Sequence, residues 1–158
     1  ERMKRVKTHL TPADLDMVEQ NYRMALENSP DDWILHDNFA EFNKERGNYE
    51  EALAHWRIAL EIVPDYADLN NNLGVLLSYK GRFDEAINYF SEALRINPYL
   101  IEAHTNLGLV LNKIGKKDEA NKHFSQAERL RFVATVEMIT LAPESPAILM
   151  ISVRFLSK

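Results

Sequence analysis

The sequence of 158 residues predicts an all-α fold of stacked antiparallel helix pairs, and three observations carry that prediction. Leu73-Gly74 recurs as Leu107-Gly108, Gly81 as Gly115, Ala86 as Ala120, Phe90 as Phe124 and Ala93 as Ala127, always 34 residues on. The same echo runs one period earlier through Phe39-Ala40, Gly47, Ala52, Trp56, Ala59 and Pro64. Acid pairs stand just after each of the spaced glycines (Glu50 and Glu51, Asp84 and Glu85, Asp118 and Glu119), where the positive end of a helix dipole favours them. A period of this length marks a unit that buries its apolar face only against its neighbour.

Residues 1–10 (ERMKRVKTHL) form a basic lead-in with too few charges for a polybasic anchor, and are read as a solvated stretch or the end of a lost helix. Thr11, Pro12 and Asp14 then start a helix: a hydroxyl cap, a ring that pre-sets φ, and an acid in the first turn. Tyr22, Ala25 and Pro30 stand one period before Trp56, Ala59 and Pro64, so residues 11–32 read as a half repeat, its second helix only. Three full repeats come next, at 33–66, 67–100 and 101–134. In each, the first helix ends near Gly47, Gly81 or Gly115, because only Gly adopts a left-handed closing conformation without strain. The second helices start at about Tyr49, Phe83 and Lys117. Ala40, Gly74 and Gly108 let the paired helix come close, and Trp56, Phe90 and Phe124 fill the space between.

Repeat three has Phe132 where the others have Pro, so its last helix is expected to run to Thr135 or beyond. Residues 135–142 read as a short capping helix or a truncated fourth repeat, ended by Pro143 and Pro146. Residues 147–156 (AILMISVRFL) are too short to span a membrane and too apolar to sit in water. Three fates stand for them, in this order: packing on the last repeat, insertion into a neighbouring molecule as a homo-oligomer contact, or membership of a domain cut away. The cap and tail together occupy 135–158.

The elements L-G, A-x3-F and a closing Pro at this period resemble the tetratricopeptide repeat family. The resemblance implies a right-handed superhelical solenoid of stacked antiparallel helix pairs. The family pattern is departed from at its Trp position (His36, Asn70, His104) and its Tyr position (Asn43, Leu77, Leu111), which leaves the fold expectation intact. In this family, first helices line a concave groove, and their second, fifth, sixth, ninth, twelfth and thirteenth positions face a ligand. Carried over, those positions are Ile34, Asp37, Asn38, Glu41, Lys44 and Glu45, then Asp68, Asn71, Asn72, Val75, Ser78 and Tyr79, then Glu102, Thr105, Asn106, Leu109, Asn112 and Lys113.

Asn38, Asn72 and Asn106 share the sixth position. An Asn amide donates and accepts at once and so pairs with a peptide group. A strand advances about 3.3 Å per residue, so regularly spaced amides grip a backbone at intervals. The arrangement resembles the asparagine ladder in the repeat domain of O-linked N-acetylglucosamine transferases. Asn is also common at this position in the family, so ladder and repeat consensus stand side by side. Related co-chaperones clamp a terminal carboxylate with basic groove residues; Asp37, Glu102 and Asn106 stand among those positions here and argue against that partner.

Composition excludes several classes. Hydrophobic residues at 46% and charged residues at 27% belong to a globular chain. A net charge of −5 is not a nucleic-acid signature, and the absence of cysteine excludes disulfides and thiol catalysis. No apolar run reaches the roughly 18 residues of a membrane helix. The start at Glu1, with no initiator Met and no signal pattern, suggests a processed product or a piece of a longer protein. His36 and His104 are equivalent positions two repeats apart, as are His55 and His123; with helices spaced about 8–10 Å, such pairs lie roughly 20 Å apart, which argues for structural roles and no metal site. No phosphate loop, HExxH or nucleophile elbow is present, so no catalytic residue and no cofactor is expected. The expected function is a non-enzymatic protein–protein interaction scaffold that takes an extended, neutral or basic peptide in its groove. The competing expectation is a self-assembling or regulatory repeat domain of a larger enzyme such as a glycosyltransferase.

Overall fold

The computed structural model describes residues 11–141, with side chains to Glu137. The lead-in, the prolines after residue 142 and the apolar stretch 147–156, with the packing and oligomer contact expected of it, lie outside the described residues. Those described form seven α-helices and no strand: α1 (Pro12–Asn28), α2 (Trp33–Glu45), α3 (Tyr49–Ile62), α4 (Ala67–Tyr79), α5 (Phe83–Ile96), α6 (Ile101–Lys113) and α7 (Lys117–Leu141). They divide after Leu69 into two compact units.

In the first unit, α1 packs on α2 and α2 packs on α3. Thr11 closes a capping box: its hydroxyl accepts from the Asp14 amide at 3.2 Å, and Asp14 accepts from the Thr11 amide at 2.8 Å. Asp32 caps α2 by accepting from the amides of Ile34 and Leu35. Trp56, Phe39 and Leu53 are fully buried between these helices, and the Tyr22 ring stacks on Phe39 at 4.9 Å. Arg23 on α1 bridges Glu19, one turn back, to Glu51 on α3.

In the second unit, α5 packs on α6 and α6 on α7. Helix α4 meets α5 through Gly74: a Cβ added there would lie 2.6 Å from the fully buried Phe90 ring. Gly108 stands in the same relation to Phe124, also at 2.6 Å. The expectation that small residues on first helices admit the large rings of second helices therefore holds in both hairpins of this unit.

The hairpin joints are three versions of one device. Gly47, Gly81 and Gly115 have φ of 83°, 77° and 87°. The amide after each glycine reaches back to the carbonyl near the end of the first helix: Asn48 to Asn43, Arg82 to Leu77 and Lys116 to Leu111, each at 2.9 Å. That is a Schellman closure, and it needs a residue in the left-handed region. No atom lies within 4 Å of a Cβ placed on Gly81, so substitution there tests backbone strain alone. Gly81→Ala is expected to lose about 1–2 kcal/mol, and Gly81→Asn distinctly less, since Asn tolerates the left-handed region. Urea denaturation midpoints of the two variants check it.

Helix α7 runs past Thr135, as the missing Pro predicts, and takes in the stretch read as a separate cap. Residues 135–141 are neither a separate capping helix nor the first helix of another repeat; they continue α7 without a break to Leu141. The stretch from Arg131 to Leu141 contains no Gly or Pro, so nothing in it stops a helix once one is running. Phe132, Val133 and Val136 are exposed along this extension.

The histidines hold a relation that comparing equivalent positions does not show. His36 and His55 lie in one hairpin, with Nδ1 to Nδ1 at 2.9 Å, and His36 Nε2 is 2.9 Å from the Pro30 carbonyl oxygen. His104 and His123 repeat this in the second unit at 3.0 Å, with His104 Nε2 3.0 Å from the Pro98 carbonyl oxygen.

Candidate interaction face

The residues expected to face a ligand lie on α2, α4 and α6, and each unit presents its own set. On the first unit, Asp37 is half-buried and accepts a hydrogen bond from the Trp56 indole N–H at 2.8 Å. Trp56 thereby has a partner for its one polar group while its ring stays fully buried. Lys44 pairs with Glu41 and lies 5.8 Å over the Trp56 ring. Burial pushes the Asp37 carboxyl above the usual carboxylate range; the Trp56 hydrogen bond opposes this, the charges of Glu41 and Asp68 add to it, and Lys44 opposes it. Asp37 thus feels both Glu41 and Asp68, and this part of the face is acidic. Asn38 and Ile34 stand exposed on α2.

The second unit presents amides and apolar groups. The Asn106 side-chain N–H donates to the Asn71 side-chain oxygen at 3.0 Å. That bond sets which way the Asn106 amide faces and leaves its oxygen and second N–H for other partners. Thr105 donates its hydroxyl to the Ile101 carbonyl at 2.9 Å and accepts from Arg131 at 3.2 Å. Val75 and Tyr79 on α4 are 39% and 71% exposed, and Leu109 on α6 is 56% exposed. Asn72 is half-buried on α4, while Glu102 and Lys113 are exposed on α6, Lys113 lying 5.0 Å over the Phe83 ring.

Two partners of these groups are not visible in the periodic pattern. Arg131 belongs to a second helix, which the period assigns to packing, and no signal marks its reach to Thr105. The period likewise makes Trp56 a space-filler; its indole N–H is the available signal, since a buried Trp needs an acceptor. Among the described residues, no group of three or more His, Asp or Glu is arranged to hold a metal ion, and no helix is long and apolar enough to cross a membrane.

Comparison with known proteins agrees with this architecture. The family model for the tetratricopeptide repeat matches residues 32–98 and 65–131, which together span well over half of the chain. No curated protein matches. Among solved structures, MamA MSR-1 is similar with a TM-score of 0.67 at 25% identity, over 76% of this chain and 69% of that one. MamA AMB-1 is similar with a TM-score of 0.68 at 27% identity, over 79% and 68%. A double mutant of MamA RS-1 gives 0.71 at 17% identity over 77% and 68%, which speaks to fold alone.

Proposed function

The chain belongs to the tetratricopeptide repeat family, and from that premise we propose that it binds an extended peptide segment on the face formed by its first helices. The coarser function, a protein–protein interaction scaffold, comes with the family. The observation that supports the finer one is the company kept by Asn106. Its amide is oriented by Asn71, and exposed Val75, Tyr79 and Leu109 share its unit. Oriented amides suit a peptide backbone, and exposed apolar side chains suit the residues between grip points. The converging carboxylates Asp37, Glu41 and Asp68 favour a segment that brings Lys or Arg, and disfavour one that ends in a free carboxylate.

The test begins with a library of random twelve-residue peptides displayed on phage and selected against the whole chain. Selected peptides are expected to be rich in Lys or Arg and apolar residues. Titration calorimetry then compares variants. Asn38, Asn72 and Asn106 changed together to Ala are expected to weaken binding about tenfold or more, roughly 1.4 kcal/mol. Asp68→Lys with Glu102→Lys is expected to weaken a basic peptide by a similar factor. Unchanged affinity in the first variant makes the asparagines repeat consensus only; unchanged affinity in the second removes the groove assignment.

A further inference from the structure

Each histidine pair is a closed proton circuit. The Pro30 carbonyl can only accept, so His36 donates from Nε2 and, when neutral, turns a bare lone pair toward its partner at Nδ1. His55 must then supply the proton between the two Nδ1 atoms. One added proton is compatible with this geometry, because it can sit on His55 Nε2 and leave the central bond intact. A second cannot be accommodated: both Nδ1 atoms would carry hydrogens 2.9 Å apart, and two positive rings would face each other. His104, His123 and the Pro98 carbonyl repeat the circuit with the same lengths to within 0.1 Å.

The surroundings decide how readily the protons arrive. His36 is 5% exposed and His55 half-buried, with the Phe39 ring 4.6 Å from the His55 ring. Burial pushes the His55 imidazole below its ordinary value; the charge of His36 adds to this, Glu51 opposes it, and Arg23 of α1 adds again. Burial likewise lowers His123, helped by His104 and opposed by Glu119. The Asn70 and Tyr89 positions correspond to the pair in the middle repeat, which therefore carries no imidazole there.

We propose that the two histidine pairs are proton-operated latches, holding the α2–α3 and α6–α7 hairpins shut at neutral pH and loosening them as the pairs take up protons, the first charging a half-buried ring and the second breaking the central bond. The hairpin of α4 and α5 lacks the device. Because the folded chain holds His55 and His123 below the ordinary imidazole value of 6.5, the unfolded chain binds more protons near that pH. The stabilisation is complete above the ordinary value and is lost as pH falls through the lower, folded-state value. Mild acid therefore loosens two hairpins before the third.

The experiment uses the full chain and hydrogen exchange followed by mass spectrometry at pH 7.5 and pH 5.0, corrected for intrinsic rates. Opening of residues 33–62 and 101–130 is expected to increase severalfold more than that of 67–96. A second form, His36→Asn, His55→Tyr, His104→Asn and His123→Tyr, grafts the middle repeat's own pair into both sites. Its urea midpoint is expected to fall less between the two pH values than that of the unaltered chain. Equal falls in both forms overturn the proposal. Should the grafted form fail to fold at pH 7.5, the exchange data on the unaltered chain decide alone: a uniform increase over all three hairpins overturns it.

Discussion

Phe90→Ala is expected to cost about 3–5 kcal/mol, because the ring is fully buried and the backbone of two packed helices cannot close on the void. The opposing wall is Gly74, whose lack of a side chain is what admits the ring. Gly74→Ala alone places a methyl 2.6 Å from the ring edge, well inside van der Waals contact. The clash is expected to outweigh the gain in helix propensity of about 1 kcal/mol, for a net loss of about 1–2 kcal/mol. The two effects are coupled through one space. Gly74→Ala combined with Phe90→Leu is expected to be more stable than the sum of the separate losses, since a smaller side chain makes room for the methyl. A double-mutant cycle on urea midpoints reads this directly. Strict additivity would mean that the two positions do not share a wall.

Trp56→Ala is the other large effect, about 3–5 kcal/mol for loss of the buried indole. Here the loss has two parts that can be separated. The ring fills the hairpin of α2 and α3, while its N–H satisfies a half-buried Asp37 that already has Glu41 and Asp68 as unfavourable neighbours. Trp56→Phe keeps most of the filling and removes the donor, and is expected to cost about 1–3 kcal/mol. If Asp37 is the reason, Trp56→Phe should be partly rescued by Asp37→Asn, which removes the charge left without its donor. Thermal or urea unfolding of the single and double variants checks it. Equal losses with and without the second change would confine the role of Trp56 to packing.

Much of this architecture can be read from residue spacing because the physics behind it is local. Gly47, Gly81 and Gly115 mark joints for a reason confined to their own φ. Gly74 facing Phe90, and Gly108 facing Phe124, arise from a period that places the same hairpin twice. What spacing conceals depends on pairs of different phase. Periodicity sets His36 beside His104, its equivalent, whereas its partner is His55, 19 residues on. A usable clue lies in co-occurrence: both histidines are present in repeats one and three, and neither in repeat two. The orientation of Asn106 by Asn71, 35 residues away, is equally hidden, because the pattern assigns both to a ligand and not to each other. The length of α7 is partly legible, since Phe132 in place of Pro predicts extension.

The three glycine joints bear on the order of events when the chain leaves the ribosome. Each closes through a hydrogen bond between residues close in sequence, donated by the amides of Asn48, Arg82 and Lys116 to the carbonyls of Asn43, Leu77 and Leu111. A loop so short costs little entropy to form. Every hairpin therefore has its own starting point, available as soon as its two helices have been synthesised and independent of residues still to come. A chain damaged at Gly81 would still have two sound places from which to begin.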